Sequence, residues 1–247
     1  MDARHTASAI ARVRRLEGSR TPSERLFEDP YASLFEDTAL DVKELFESIP
    51  FFEAHVRVRT RFFDDAVRSA VARGARRIVL VGAGYDARAL RMPELRPPVR
   101  VIEIDHEDQI AAKQRRFAQA GIALPANLSF GAADLLREGA FESGLARAGL
   151  SDAAETLWIC EGLFGYLSMP AISDIAATTA KLSLPGSMLV ANHNVFSWKP
   201  SALAEVFTAG GWRSERAPSF DELHRKWIGG AEAPPDAEQF ALLVVSR

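Results

Sequence analysis

Four carboxylates recur at matching places along the chain, each just after a short apolar run: Asp86, Asp105, Asp134 and Glu161. The first closes the stretch Arg77-Ile78-Val79-Leu80-Val81-Gly82-Ala83-Gly84-Tyr85-Asp86, where a β-branched run breaks at two glycines and helix-favouring residues follow. That order predicts a buried strand, a tight turn and a helix start. Glycines at 82 and 84 would let a ligand approach the backbone with no Cβ in the way. Asp105 ends Val99-Arg100-Val101-Ile102-Glu103-Ile104, a second strand, and an acid about 20 residues past a glycine turn is placed to grip ribose hydroxyls. Asp134 and Glu161 close the runs 128–133 and 156–160, so the four acids are expected to rim one crevice outside the strand ends.

Such a rim suits a ligand that is cationic near its middle and carries hydroxyls and an exocyclic amine at one end. S-adenosyl-L-methionine has that description. The spacing of Gly82, Gly84 and Ala87 also fits a nicotinamide dinucleotide turn, but Asp86 would repel a pyrophosphate laid on the turn amides. For any single acid the alternative is a helix cap; four in register weaken that reading for the set. Other chemistries lack residues. Histidines at 5, 55, 106, 193 and 224 include no closely spaced pair, and Cys160 is the one cysteine, so no metal site is expected. His193, after a predicted strand end, is the first candidate base for an alcohol or phenol acceptor, with a structural histidine as the alternative.

The elements that must hold these residues alternate. Strands are predicted near 77–82, 99–105, 128–133, 156–161 and 186–192, helices near 86–93, 107–120, 138–148, 170–183 and 201–210. Alternation of this kind builds a parallel sheet with helices on both faces. The tail adds a pair of stretches, Trp212 to Arg216 and Gln239 to Ser246, with turn and helix between. Residues 53–73 form a longer helix with a buried stripe through Val56, Phe63 and Val67, carrying Arg59 and Arg61 near its front half. Residues 1–52 are helical in pattern, through Ile10, Val13, Leu34, Leu40 and Val42, and precede the first strand. They are expected to cover the cofactor; a pad on the sheet edge or a homodimer surface is the alternative. One domain over 1–247 is expected, with 1–52 as cover and 53–247 as core; 229–235 is a loop candidate.

Several blocks in order carry a family resemblance: Thr6-Ala7 with Arg14 and Glu17, Asp29-Pro30-Tyr31-Ala32, Arg59-Thr60-Arg61-Phe62-Phe63-Asp64-Asp65, Gly82 to Arg88, Glu103-Ile104-Asp105, Asp134-Leu135, and Trp158-Ile159-Cys160-Glu161-Gly162-Leu163-Phe164-Gly165-Tyr166-Leu167. From near the start to about Asn192 the chain resembles the leucine carboxyl methyltransferases, which include bacterial O-methyltransferases of secondary metabolism. The resemblance implies a Rossmann-like class I methyltransferase fold, with seven strands, mostly parallel, and a terminal antiparallel strand. It implies S-adenosylmethionine as cofactor, with Arg59 on its methionine carboxylate, Gly82 and Gly84 at the turn, Asp105 on ribose, Asp134 and Leu135 at adenine, and Glu161 near the methionine moiety. Arg14 is the weakest assignment, because Arg12 and Arg15 flank it.

The 247 residues are 47% hydrophobic and 26% charged, with net charge -3, enough for one large core. Balanced charge argues against a nucleic-acid partner, and no apolar run approaches the ~18 residues of a membrane span. The single cysteine and the lack of a leader pattern suggest a cytoplasmic protein acting on a small molecule.

Two functions follow. The first is methyl transfer to a small carboxylate, which needs no base because it is ionised at pH 7, or to a hydroxyl. The second starts from a departure: members of the family usually insert a segment after the fifth strand, whereas only Val195 to Pro200 separates Asn194 from Ser201 here. S-adenosylmethionine would then be the substrate, cyclised to azetidine-2-carboxylate with release of methylthioadenosine. Tyr166 and Asn192, with Glu161, are the groups expected to hold it folded, and Phe164, Phe196 and Trp198 are further candidates to face the sulfonium.

Overall fold

In the computed structural model, residues 3–37, 43–137, 139–229, 233 and 235–247 are described. Seven strands form one sheet: β1 (Arg77–Val81), β2 (Arg100–Asp105), β3 (Leu128–Ala132), β4 (Thr156–Cys160), β5 (Met188–Asn194), β6 (Arg213–Ser214) and β7 (Phe240–Ser246). Their order is β3-β2-β1-β4-β5-β7-β6, with β7 antiparallel to both of its neighbours and the first five strands parallel. The central strands β1 and β4 are buried at every position, as expected of parallel strands covered on both faces. Their side chains alternate between two cores: Val79, Val81, Trp158 and Cys160 enter one, and Ile78, Leu80, Leu157 and Ile159 the other, which is the period of two of an extended chain.

The order of the strands fixes where a ligand can go. The chain runs outward from β1 through β2 to β3, then returns to the far side of β1 as β4. Connections diverge above the carboxyl ends of β1 and β4, leaving a crevice there. Gly82 follows β1 and Glu161 follows β4.

The helices are α1 (Ala3–Glu17), α2 (Lys43–Ser48), α3 (Phe52–Arg73), α4 (Arg88–Arg91), α5 (Glu107–Gln119), α6 (Ala140–Arg147), α7 (Met169–Lys181), α8 (Pro200–Ala209) and α9 (Phe220–Trp227). Helix α4 is shorter than the predicted 86–93. Pro93 forces Met92 into extended backbone, φ -97 and ψ 116, and the chain continues as a 3-10 turn. Helix α1 packs on α3 through Ala9, Val13, Phe52 and Val56. Leu40, Val42 and most of the predicted loop 229–235 lie outside the described residues.

Strand β5 departs from the sequence reading in a way that matters for the site. It runs to Asn194 rather than ending near 192, because β7 pairs with it antiparallel over seven positions, His193 opposite Ala241. His193 is therefore a strand residue and does not follow a strand end.

Beneath the crevice, Lys113 Nζ of α5 donates to Glu103 Oε2 of β2 at 2.5 Å, both side chains being buried. Glu103 Oε1 has no partner. Burial, partly offset by Lys113, pushes the Glu103 carboxyl up to about 7. A folded-state value above the unfolded one gives stability that is complete below the unfolded value and is lost as pH rises through about 7. Glu103→Gln is expected to flatten the fall in melting temperature between pH 5 and 8; an unchanged slope would remove this group as its origin.

Candidate functional site

The turn after β1 takes positive φ at Gly82 (68°) and Gly84 (49°), a region costly for residues with a Cβ. Gly82 and Ala83 amides donate to Ile104 O at 2.8 and 3.1 Å, and Gly84 N donates to Asp105 Oδ2 at 2.6 Å. The turn is thus tied to β2 through the acid at its end. A Cβ on Gly82 would meet Leu163 Cδ1 at 2.7 Å, so the room this glycine leaves at its Cβ position is filled by a protein side chain. At Gly84 the nearest atom would be 4.0 Å away, and the space is open.

Asp105 also accepts from His106 N at 2.7 Å through Oδ1. Each oxygen keeps a lone pair, and burial raises the carboxyl above its usual range. Asp134 Oδ1 accepts from Leu136 N at 3.1 Å. Asp105, Asp134 and Leu135 line the same cavity, about 540 Å³, as Gly82, Gly84, Asp86, Glu161 and Tyr166. Its roof is α1, through Thr6, Ala7, Ile10, Ala11 and Arg14, with Ala32 and Phe35 beyond. Phe35 stacks on Tyr85 at 4.6 Å between centroids, and the Arg116 guanidinium sits over both rings. The amino-terminal segment is in this way fastened to the glycine turn.

The other end of the cavity is built from charges. Glu161 Oε1 accepts from Arg14 Nη2 at 2.8 Å and Arg59 Nε at 3.0 Å, and Oε2 accepts from Arg88 Nη1 at 2.7 Å. Arg88 has no exposure to solvent. It also donates through Nε to Asp64 Oδ1 at 2.7 Å and through Nη1 to Asp86 Oδ2, while Asp86 Oδ1 accepts Arg88 N at 2.7 Å. Asp64 is shared with Arg91, at 2.6 and 2.7 Å. Burial alone would raise the Glu161 carboxyl; the Arg88, Arg14 and Arg59 guanidinium groups outweigh it and hold the group far below the usual carboxylate range. Arg59 commits only Nε. Its two Nη atoms have no hydrogen-bond partner among the described residues, and they lie beside the cavity residue Gly162. Arg14 Nε is buried without a hydrogen-bond partner among the described residues.

Most of the expected site residues meet in this cavity: Arg14, Arg59, Gly82, Gly84, Asp86, Asp105, Asp134, Leu135, Glu161 and Tyr166. Of the neighbouring arginines, Arg15 turns to Glu36 and Arg61 to Asp65. Two expectations need correction, because Asn192 and His193 do not line the cavity. Asn192 Oδ1 accepts Gly162 N at 2.8 Å, which fixes the loop that carries Glu161. His193 is buried in β5, its Nδ1 without a partner, and burial lowers its pKa. Of the four aromatics considered, only Tyr166 faces the cavity. Phe164 packs in the core against Phe207, Trp198 Nε1 donates to Phe164 O at 2.8 Å, and Phe196 is exposed. Sequence reasoning misses Arg88 and Asp64; a charged residue amid the buried stripe of α3, directly after Phe63, is the available signal.

This strand order, with its reversed last strand and acid-rimmed crevice, defines the Rossmann-like class of S-adenosyl-L-methionine-dependent methyltransferases. The profile of the family described as leucine carboxyl methyltransferase matches residues 7–180, and the chain belongs to that family. A Frankia alni protein named "Putative S-adenosyl-L-methionine-dependent methyltransferase FRAAL3836" is 34% identical over 206 residues, covering 78% of this chain and 69% of that one. One from Parafrankia sp. with the same description is 31% identical over 241 residues, 94% of this chain and 73% of the other. Among solved structures, a duf574 family protein from Streptomyces avermitilis shares the fold with TM-score 0.59 at 14% identity, over 96% of each chain. A TehB-like methyltransferase from Corynebacterium glutamicum does so with TM-score 0.52 at 15% identity, over 74% of this chain and 86% of that one.

S-adenosylmethionine and S-adenosylhomocysteine are expected to raise the melting temperature by mass action, and NAD is not; equal stabilisation by NAD would contradict the cofactor. Arg59→Lys keeps the charge and loses the planar fork. Calorimetry is expected to show S-adenosylhomocysteine bound more weakly by about 1.5–3 kcal/mol, and unchanged affinity would take Arg59 out of the site.

Proposed function

We propose that the chain transfers a methyl group from S-adenosylmethionine to an oxygen of a small-molecule acceptor, and that this acceptor is a carboxylate of secondary metabolism. The observation that carries the choice of carboxylate is that the charged end of the cavity offers no histidine, and that its carboxylates Glu161 and Asp86 are both engaged by guanidinium groups. Among the described lining residues the one histidine is His106, which follows Asp105 and caps α5. An alcohol must lose a proton during transfer, whereas a carboxylate is already ionised at pH 7.

The residues divide the work as follows. The free fork of Arg59 and the neighbouring Arg14 suit the methionine carboxylate, and Glu161 suits the ammonium and sulfonium. Asp105 has lone pairs for ribose hydroxyls, Asp134 with Leu135 suits adenine, and the open face of Gly84 gives room at the turn. Tyr166, exposed and lining the same cavity, suits contact with an incoming acceptor. The cofactor supplies an electrophilic methyl group on a sulfonium. The protein aligns the acceptor oxygen behind it and keeps water out.

One observation favours a second reading. Residues 195–200 form a tight turn, with Ser197 N and Trp198 N donating to Asn194 O at 3.1 and 3.2 Å and Phe196 N to Asn194 Oδ1 at 2.8 Å, so that turn does not build an acceptor wall. In that reading S-adenosylmethionine is itself cyclised. The amine nitrogen bonds to the γ-carbon, the bond from that carbon to sulfur breaks, and one amine proton passes to solvent.

Mass spectrometry of the nucleoside product separates the two. With a panel of carboxylic acids and phenols, S-adenosylhomocysteine and a base-labile methyl ester are expected. A methylated phenol would overturn the carboxylate assignment. Methylthioadenosine formed without any acceptor, above the spontaneous rate, would overturn methyl transfer.

A further inference from the structure

We propose that Arg88, a residue outside the cavity, is a positioning residue for cofactor binding: it holds Glu161 anionic and aimed while the other two guanidinium groups on that carboxylate turn to the ligand. The inference rests on the proposed role of Glu161 toward the cofactor's amino-acid end, and it is independent of which acceptor is methylated.

The geometry separates the three arginines into two kinds. Arg14 and Arg59 line the cavity and share Oε1 of Glu161. Arg88 is not among the lining residues and reaches Oε2 from outside the lining, anchored by Asp64, which is likewise not a lining residue, and by Asp86, which is one. An amino-acid zwitterion entering this end brings its own carboxylate and its own ammonium. The carboxylate competes for Arg59 and Arg14, whose Nη and Nε atoms have unused donor capacity. The ammonium then needs Oε1. With both front arginines diverted, Arg88 is the guanidinium that still balances Glu161, and without it a buried carboxylate gains a reason to take up a proton.

Among the described residues, the surroundings leave no substitute. The charged groups facing Glu161 are Arg14 from α1, Arg59 from α3 and Arg88 from α4, with Asp86 and Asp64 paired to Arg88. His55, one turn before Arg59, stacks on Phe240 at 3.8 Å; burial pushes its pKa well down and both ring nitrogens lack partners. It is neutral and offers no charge.

The test is a double-mutant cycle on the full chain. Arg88→Lys keeps one positive charge against Asp64 and Asp86, so the cluster retains a cation, but a single ammonium lacks the fork that reaches all three acids. S-adenosylhomocysteine is expected to bind Arg88→Lys roughly tenfold more weakly than wild type. In a Glu161→Gln background the same change is expected to cost less than about twofold, since residues that act through one another are not additive. Methylthioadenosine, which lacks the amino-acid end, is expected to bind wild type and Arg88→Lys alike. Equal losses in the two backgrounds, or an equal loss for methylthioadenosine, would make Arg88 a structural prop and overturn the proposal. Should Arg88→Lys fail to fold, Asp64→Asn, which loosens the Arg88 anchor without touching Glu161, takes its place in the same cycle: a loss for S-adenosylhomocysteine that is spared for methylthioadenosine and vanishes in the Glu161→Gln background supports the proposal, and equal losses overturn it.

Discussion

The carboxylate of Glu161, largely screened from solvent by three guanidinium groups, is the constraint on which the rest of this structure depends. A buried charge persists only where opposite charge and hydrogen bonds replace the water it loses, and even a satisfied buried pair adds little to stability relative to apolar packing. The cluster extends from Glu161 through Arg88 to Asp64, Asp86 and Arg91, and it joins the end of β4, the glycine turn, α3, α4 and the covering helix α1. A hydrophobic substitute would hold these elements together at least as well. Charge at this place is therefore better understood as a requirement of the ligand than of the fold.

The fold supplies the address. Reversal of strand order between β1 and β4 opens the crevice, and the carboxyl ends of β1, β2 and β4 deliver Gly82, Asp105 and Glu161 to its rim. Hydrogen bonds then fix each piece: Asp105 holds the turn through Gly84, and Asn192 holds the Glu161 loop through Gly162. Both are side chains serving the backbone next to the site, and both read as candidate site residues from sequence, but only Asp105 also lines the cavity.

Much of this arrangement is legible in the order of the amino acids. The glycine turn, the strand-end acids and the long helix with Arg59 follow from apolar runs and breakers, because parallel strands leave uninterrupted β-branched stretches and helices leave a stripe. The differences have physical causes. His193 reads as a residue beyond a strand end because β7, more than forty residues later, extends β5 past its apolar core by antiparallel pairing, an interaction absent from local sequence. The part played by Arg88 lies in a three-way encounter with Asp64, Asp86 and Glu161, and a lone arginine after a turn carries no sign of burial. Helix α4 falls short of its pattern where Pro93 acts one residue upstream.

The covering helix takes part in both the charged cluster and the cavity wall. Arg14 reaches Glu161 from α1, and Thr6 and Ile10 from the same helix line the cavity, so in the proposed function the helix that meets the amino-acid end of the cofactor also walls the space for an acceptor. The central claim is that Glu161 and Arg59 together receive a zwitterion. A crystal structure with S-adenosylhomocysteine tests it most directly. The account requires the ligand carboxylate on the Nη atoms of Arg59 and the ligand ammonium on Glu161 Oε1, with Arg88 still on Oε2. A ligand seated with its amino-acid end elsewhere, and Glu161 still bound by Arg14 and Arg59 alike, would contradict it.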